Sequence, residues 1–133
     1  MTLIISNGGD VIALNRLVNN TTLDNLKLHL YTNSISPSKT DTASTYTEPS
    51  GATGYAAISL TGASWTVATV SSVTTASYTQ QTFTFTSGPV TVVGYFLTDN
   101  SGNLVGAEQY TDGPYNIPSG GGTILQPVNI VAN

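Results

Sequence analysis

The chain has 133 residues, of which only 8% are charged, and its formal net charge is −4. Typical domains carry about 25% charged residues, and a nucleic-acid partner would need several Lys or Arg side chains to displace counterions from phosphates. Because the whole chain has three basic residues, we expect no nucleic-acid partner. The absence of cysteine excludes a disulfide framework, a thiolate metal site and a cysteine nucleophile.

The length is that of one domain, so we expect a single unit over residues 1–133. The first residues lack the basic and long apolar regions of a signal peptide. No stretch approaches the ~20 apolar residues of a membrane span. We therefore expect a soluble protein that is made in the cytoplasm and has no membrane partner.

The first predicted element is a short helix over residues 10–19, with Asp10 as its N-cap. An extended arm is the alternative, so residues 1–20 are predicted to form an N-terminal arm or short helix. The apolar residues that predict the helix recur at spacings of three and four: Val11, Leu14 and Val18.

Period-two alternation of apolar and polar residues then predicts a series of strands, because successive strand side chains point to opposite faces. The clearest case is 26–31, in which three leucines alternate with polar residues. A segment rich in Ser, Thr and Asp, 35–48, shows little periodicity and is predicted to be a long surface loop. Further strands are predicted around 54–60, 65–70 and 78–86.

The segment 90–98 is apolar on both faces, so we expect it near the centre of a sheet. The Asn- and Gly-containing turn at 99–103 joins it to a strand at 104–110 and predicts a hairpin. The last strand is predicted at 123–131, where Pro127 indicates an edge position or a bulge. Together these elements predict an all-β fold, a jelly-roll-like β-sandwich of two sheets with a short N-terminal arm or helix.

The candidates for catalysis and metal binding are weak. His29 is the only histidine, and no serine lies in a nucleophile-elbow context. Glu48 and Glu108 are the only glutamates, and no pair among the seven acidic residues stands out. The spacing of Asp99 and its neighbours is explained better by a hairpin turn than by a calcium loop. We expect no catalytic residue, no cofactor, no metal site and no enzymatic activity.

Aromatic side chains leave two alternatives open. Seven tyrosines and one tryptophan are compatible with a sugar-stacking platform or with the anchors of a protein interface. Trp65 is predicted to cap the core. The tyrosines in loops are predicted to lie at an interface.

Several spaced motifs resemble small virion structural proteins of tailed bacteriophages, cyanophages among them. The resemblance covers about residues 24–116. Its motifs are Leu26-Lys27-Leu28-His29-Leu30-Tyr31-Thr32-Asn33, Pro37, Thr40-Asp41-Thr42, Tyr46-Thr47-Glu48, Gly54-Tyr55-Ala56-Ala57, Trp65, Gln80-Gln81-Thr82-Phe83, Gly94-Tyr95-Phe96 and Asp112-Gly113-Pro114-Tyr115.

This resemblance implies a capsid decoration (cement) protein, which binds the major capsid protein on the outer surface of the virion head as a homotrimer and clamps the lattice without covalent bonds. A tail or neck protein and a glycan-binding module are the alternatives. In such a protein the apolar N-terminal segment, residues 2–5, could add a strand to a sheet edge on the capsid or on a neighbouring copy. An internal first strand is the alternative for this segment. The residues predicted to make contacts are Thr2, Leu3, Ile4, Ile5, Tyr46, Glu48, Tyr110 and Tyr115.

Overall fold

The computed structural model describes residues 3–19 and 25–132. These residues form ten strands and one α-helix, which confirms the predicted all-β class with a short N-terminal helix. None of the helices in these two ranges is long and apolar enough to cross a bilayer. The elements in chain order are β1 (Ile4–Ile5), α1 (Asn7–Asn19), β2 (Leu26–Tyr31), β3 (Ile58–Leu60), β4 (Thr66–Val70), β5 (Val73–Phe85), β6 (Val90–Val92), β7 (Gly94–Thr98), β8 (Leu104–Gln109), β9 (Tyr115–Ile117) and β10 (Gly122–Ala132).

The strands pair antiparallel in three sheets. A five-stranded sheet has the order β1-β8-β7-β2-β3, a three-stranded sheet has the order β10-β5-β4, and β6 pairs with β9. The main core lies between the first sheet and the other two, so the fold is sandwich-like, as predicted. Its buried members include Leu28, Leu30, Leu97, Val105, Phe83, Phe85, Val92, Ile124 and Val128.

Strand β7 is the central strand of the five-stranded sheet, and all five of its residues are buried. This confirms the prediction from its two apolar faces. The predicted strand 90–98 is nevertheless divided in two at Val93. The N–H of Val93 donates to the carbonyl of Tyr31, and its carbonyl accepts the N–H of Tyr110. The residues before Val93 belong to β6, which pairs with β9.

A second, smaller core covers the outer face of the same sheet. Tyr31 and Phe96 point to that face, and the segment 35–46 folds over them. The prediction of a plain surface loop at 35–48 is corrected here, because Tyr46 is only 6% exposed and its ring centroid lies 5.1 Å from that of Phe96. The five-stranded sheet is thus covered on both faces.

Helix α1 begins at Asn7, three residues before the predicted start. The hydroxyl of Ser6 accepts the N–H of Gly9 at 3.0 Å, so Ser6 takes the capping role that the sequence assigned to Asp10. Gly9 lies against β8 so closely that a Cβ there would be 2.2 Å from the carbonyl oxygen of Val105. Met1, Thr2 and Asn20 of the predicted N-terminal segment lie outside the described residues.

Packing through Gly9 turns the predicted apolar face of α1 outward. The side chains of Val11, Leu14 and Val18 are 58%, 60% and 71% exposed. The periodicity therefore predicts the helix correctly and its buried face wrongly. Ile12 is the side chain of α1 that packs against the main core.

Strands β4 and β5 form a hairpin with a two-residue turn. Ser71 and Ser72 have φ values of 51° and 67°, and positive φ at both central residues defines a type I′ turn. Trp65 precedes the hairpin and packs against the core, with its ring 5.2 Å from that of Tyr78. Strand β10 is an edge strand, and its register shifts between Gln126 and Val128, so both features that Pro127 indicated are present.

Candidate interaction surfaces

The N-terminal segment is not a free arm. Ile4 and Ile5 pair with Ala107 and Gly106 of β8, and Leu3 is 7% exposed within the main core. Leu3 is therefore closed to another protein, which corrects the prediction for that residue. Ile4 and Ile5 are half-buried and pair with β8 on one side only, so their role as contact residues stays a prediction. Thr2 lies outside the described residues.

The predicted contact tyrosines have partners within the chain. Tyr46 is buried, and its hydroxyl donates to Asp41 at 2.7 Å. Burying the ring raises the pKa of the Tyr46 hydroxyl, and this hydrogen bond raises it further. Because it lies in the smaller core, Tyr46 is not an accessible contact residue, which corrects the prediction.

The structure brings Tyr110 and Tyr115 together at one end of the sandwich, with ring centroids 4.7 Å apart. The hydroxyl of Tyr110 donates to Gln126, and that of Tyr115 donates to Asp112, each at 2.6 Å. Both rings are half-buried. They offer a small aromatic edge, and their 46° tilt differs from the flat platform on which a sugar ring stacks.

Glu48, the remaining predicted contact residue, belongs to a network around His29. Its Oε1 lies 2.8 Å from His29 Nδ1, and the other ring nitrogen of His29 lies 2.9 Å from Thr98 Oγ1. The order of hydroxyl, imidazole and carboxylate is that of a hydrolase triad. Thr98, however, is only 3% exposed on the central strand, so its hydroxyl is closed to a substrate. The network ties β2 and β7 to the segment 35–48 that folds over the sheet, which we call the covering loop.

Tyrosine hydroxyls donate hydrogen bonds to four of the chain's carboxylates. The pairs are Tyr46 with Asp41, Tyr55 with Glu48, Tyr95 with Glu108 and Tyr115 with Asp112. Burial is the main cause that raises the pKa of Tyr55 and of Tyr95, and the hydrogen bond to a carboxylate adds to it. These acids hold tyrosines in place, which the sequence spacing did not show.

In the turn at 99–103, whose spacing faintly resembles a calcium loop, the carboxylate of Asp99 accepts hydrogen bonds from the backbone of the turn. Asp99 Oδ1 accepts the N–H of Ser101 at 3.0 Å and that of Asn103 at 2.8 Å. Asp99 Oδ2 accepts the side-chain amide of Asn103. This is the turn that the sequence favoured, and no metal-binding group of three or more His, Cys, Asp or Glu occurs in residues 3–19 and 25–132.

Exposed apolar side chains define two surfaces that the sequence did not assign to the exterior. The first, the helix stripe, comprises Val11, Leu14, Leu17 and Val18 of α1. The second, the hairpin tip, comprises Val67, Val70 and Val73 of β4 and β5. Among the described residues only one other large apolar side chain is as exposed, Leu125.

An open apolar groove adjoins the helix stripe. It lies between α1, the β1–β8 edge and the end of β10, and its volume is about 1240 Å³. Val11 of the helix stripe also lines it, so stripe and groove are continuous. The other apolar residues along it include Ile4, Ile5, Ile12, Val105 and Ile130.

A long part of the chain carries no charge. From Pro49 to Thr98 there is no Asp, Glu, Lys or Arg, and this stretch contains the whole β4–β5 hairpin. Contacts made by the hairpin tip therefore meet no charge repulsion from the strands that carry it.

Comparison of the chain with protein-family models, with curated proteins and with solved structures gives no match.

Proposed function

We propose that this chain is a decoration protein of a tailed-phage head, which binds the lattice of the major capsid protein as a homotrimer and stabilises it by non-covalent clamping. The motifs described above support the phage assignment. The observation that carries the proposal is the concentration of exposed apolar side chains on the helix stripe and the hairpin tip. Exposed apolar patches mark surfaces that bind proteins.

Two separate surfaces suit a protein that binds between neighbouring subunits. Weak contacts on one rigid body combine through effective concentration, so each need not be strong alone. A protein that binds the assembled shell and not free subunits stabilises the shell by mass action. The sandwich, covered on both faces of its larger sheet, supplies the rigid body.

The same proposal gives the chain no catalytic role. The residues best suited to chemistry are His29, Glu48 and Glu108, and each glutamate accepts a tyrosine hydroxyl while His29 spans Glu48 and Thr98. This arrangement supports a structural role for them.

Co-sedimentation with empty heads tests the proposal. The full chain should sediment with heads, and Leu14→Ser combined with Leu17→Ser should weaken the binding at least tenfold, because both side chains are more than half exposed on α1. Leu125→Ser removes an isolated exposed leucine and serves as the matched control, which should bind as the unchanged chain does. No sedimentation, or equal binding by all variants, would contradict the proposal.

A tail or neck location is the closest competing assignment. Imaging of the particle with a labelled chain separates the two, since density on the head supports decoration and density only on the tail removes it. A glycan-binding role draws on the Tyr110–Tyr115 pair. A glycan array tests that role directly, and saturable sugar binding that Tyr115→Ala abolishes would favour it over decoration.

A further inference from the structure

The two edges of the three-stranded sheet differ in how they are protected. Strand β10 forms one edge and carries Pro127 together with a register shift at Gln126 and Val128. Proline and bulges are devices that stop an edge strand from pairing with another chain. Strand β4 forms the other edge, and it has no proline, no charged residue and no register shift against β5.

The turn geometry shows which backbone groups of β4 face outward. In a type I′ hairpin the two residues that flank the turn, here Val70 and Val73, form a hydrogen-bonded pair. Hydrogen-bonded and non-hydrogen-bonded pairs then alternate along an antiparallel ladder. It follows that Val67 and Thr69 direct their N–H and C=O groups away from β5. In the part of the chain that the structure describes, no strand pairs with that edge.

The side chains of β4 are as open as its edge. All five residues from Thr66 to Val70 are exposed, with Val67 at 68% and Val70 at 71%. An uncharged strand with an open edge, in which four of the five residues are β-branched, is a template for another strand. An occupant must therefore supply both backbone partners and an apolar surface without charge.

We propose that β4 of a second copy of this chain is that occupant, and that the two β4 strands pair antiparallel about a two-fold axis at Ala68. In this register Val67 of one copy lies opposite Thr69 of the other, so the outward groups of both residues exchange hydrogen bonds in both directions. Ala68 lies opposite Ala68, and Thr66 lies opposite Val70. The three-stranded sheets of the two copies join into one continuous sheet.

The strand fits itself because its outward residues are spaced symmetrically about Ala68. Pairing two copies requires that each outward residue meets an outward residue of the partner, and the Val67–Thr69 match meets this condition for every such group on β4. Since the strand is uncharged, the two-fold contact brings no like charges together. This pairing does not rest on the proposed role in the phage head.

A cysteine scan tests the register, because the natural chain has no cysteine. Facing residues of a non-hydrogen-bonded antiparallel pair have Cα atoms about 4.5 Å apart, within the range of roughly 4.4–6.8 Å that a disulfide spans. Ala68→Cys should therefore form a covalent dimer upon mild oxidation. Thr66→Cys is the matched control on the same exposed strand, and its two copies would lie about 13 Å apart, so it should stay unlinked.

The solution mass of the full chain provides the second measurement. Pairing through β4 predicts a mass of two chains, or of six if trimers pair, and Ala68→Lys should reduce it to one or three by placing two like charges opposite each other. Leu125→Lys adds the same charge on the other edge strand and should leave the mass unchanged.

Three results would overturn the inference: an odd number of chains in the unchanged protein, an even number that Ala68→Lys does not alter, or equal cross-linking of the two cysteine variants. If a strand of another protein pairs with β4 instead, the purified chain should contain an odd number of copies. If an assembly with an odd number of chains binds heads, the β4 pairing is overturned and the decoration role stands. If an assembly with an even number of chains does not bind heads, the decoration role is overturned and the β4 pairing stands.

Discussion

The hydroxyl of Tyr55 donates to Glu48 Oε1 at 2.6 Å and at the same time accepts the N–H of Leu30 at 3.0 Å. Strand β3 pairs with β2 only as far as Leu28, so the N–H of Leu30 has no strand partner on that side. One side chain thus completes the hydrogen bonding of an open strand edge and anchors the covering loop.

Replacing Tyr55 with phenylalanine should therefore destabilise the fold. Tyr55→Phe leaves the buried N–H of Leu30 without a partner, which costs about 1–3 kcal/mol. Urea unfolding followed by circular dichroism measures the loss. Tyr115→Phe removes a hydroxyl that binds Asp112 on an exposed turn and should cost much less. An equal loss in both variants would show that the Leu30 contact is unimportant.

The buried tyrosines predict a loss of stability in alkali. Burial, with Asp41 and Glu108 nearby, raises the pKa of Tyr31 from 10.0 to about 12. Below pH 10 the hydroxyl is protonated in both states and the stabilisation is complete. Between pH 10 and 12 the unfolded chain loses the proton first, so it binds fewer protons than the folded chain and stability falls as pH rises.

The urea midpoint should consequently be constant from pH 8 to about pH 9.5 and then decrease. Absorbance at 295 nm, which follows tyrosinate, should show the delayed ionisation in the folded chain and normal ionisation in urea. A midpoint that stays level to pH 12 would contradict the burial of these hydroxyls.

The close contact between α1 and β8 predicts a steric effect. Gly9→Ala would place a Cβ 2.2 Å from the Val105 carbonyl oxygen, which belongs to the backbone and cannot rotate away. Although alanine favours helices by about 1 kcal/mol over glycine, overpacking costs typically 1–3 kcal/mol, so we expect net destabilisation. Gly51→Ala meets no atom within 4 Å and serves as the control in the same unfolding assay. A more stable Gly9→Ala chain would refute the contact.

The hydrogen bonds of the Asp99 turn predict that mutating Asp99 lowers the stability of the fold, whereas adding calcium leaves the stability unchanged. Asp99→Ala removes the acceptor of two backbone N–H groups and should lower the free energy of unfolding by about 1 kcal/mol. Ser101→Ala, in the same turn, should be close to neutral. Adding millimolar calcium should leave the melting temperature of the unchanged chain in place, and a rise that Asp99→Ala abolishes would reveal a cation site.

Local residue patterns were sufficient to predict the strands whose side chains meet the core directly. Strand β2 has the predicted bounds, β7 is central as its two apolar faces indicated, and β10 has both the edge position and the bulge expected from Pro127. In each case the information is local, because the side chains of one strand specify which faces are covered.

The surfaces were predicted less well because they depend on contacts between distant residues. The outward face of α1 is set by the approach of Gly9 to Val105, nearly a hundred residues away. Tyr46 is buried because a loop folds over β7, which no spacing within that loop shows. The hairpin tip was missed since a Ser-Ser pair is a weaker turn signal than Asn-Gly. Val67 and Val70 lie in the strand that is predicted at 65–70, but nothing in the sequence indicates that their side chains are exposed.

The position of β7, paired with β8 and β2 and covered on both sides, has a consequence for hydrogen–deuterium exchange. Its amides can exchange only when the sandwich and the covering loop open together, so their protection should approach the global free energy of unfolding. The outward amides of β4 should exchange orders of magnitude faster in a free chain. Their slowing upon association would trace the new hydrogen bonds one amide at a time.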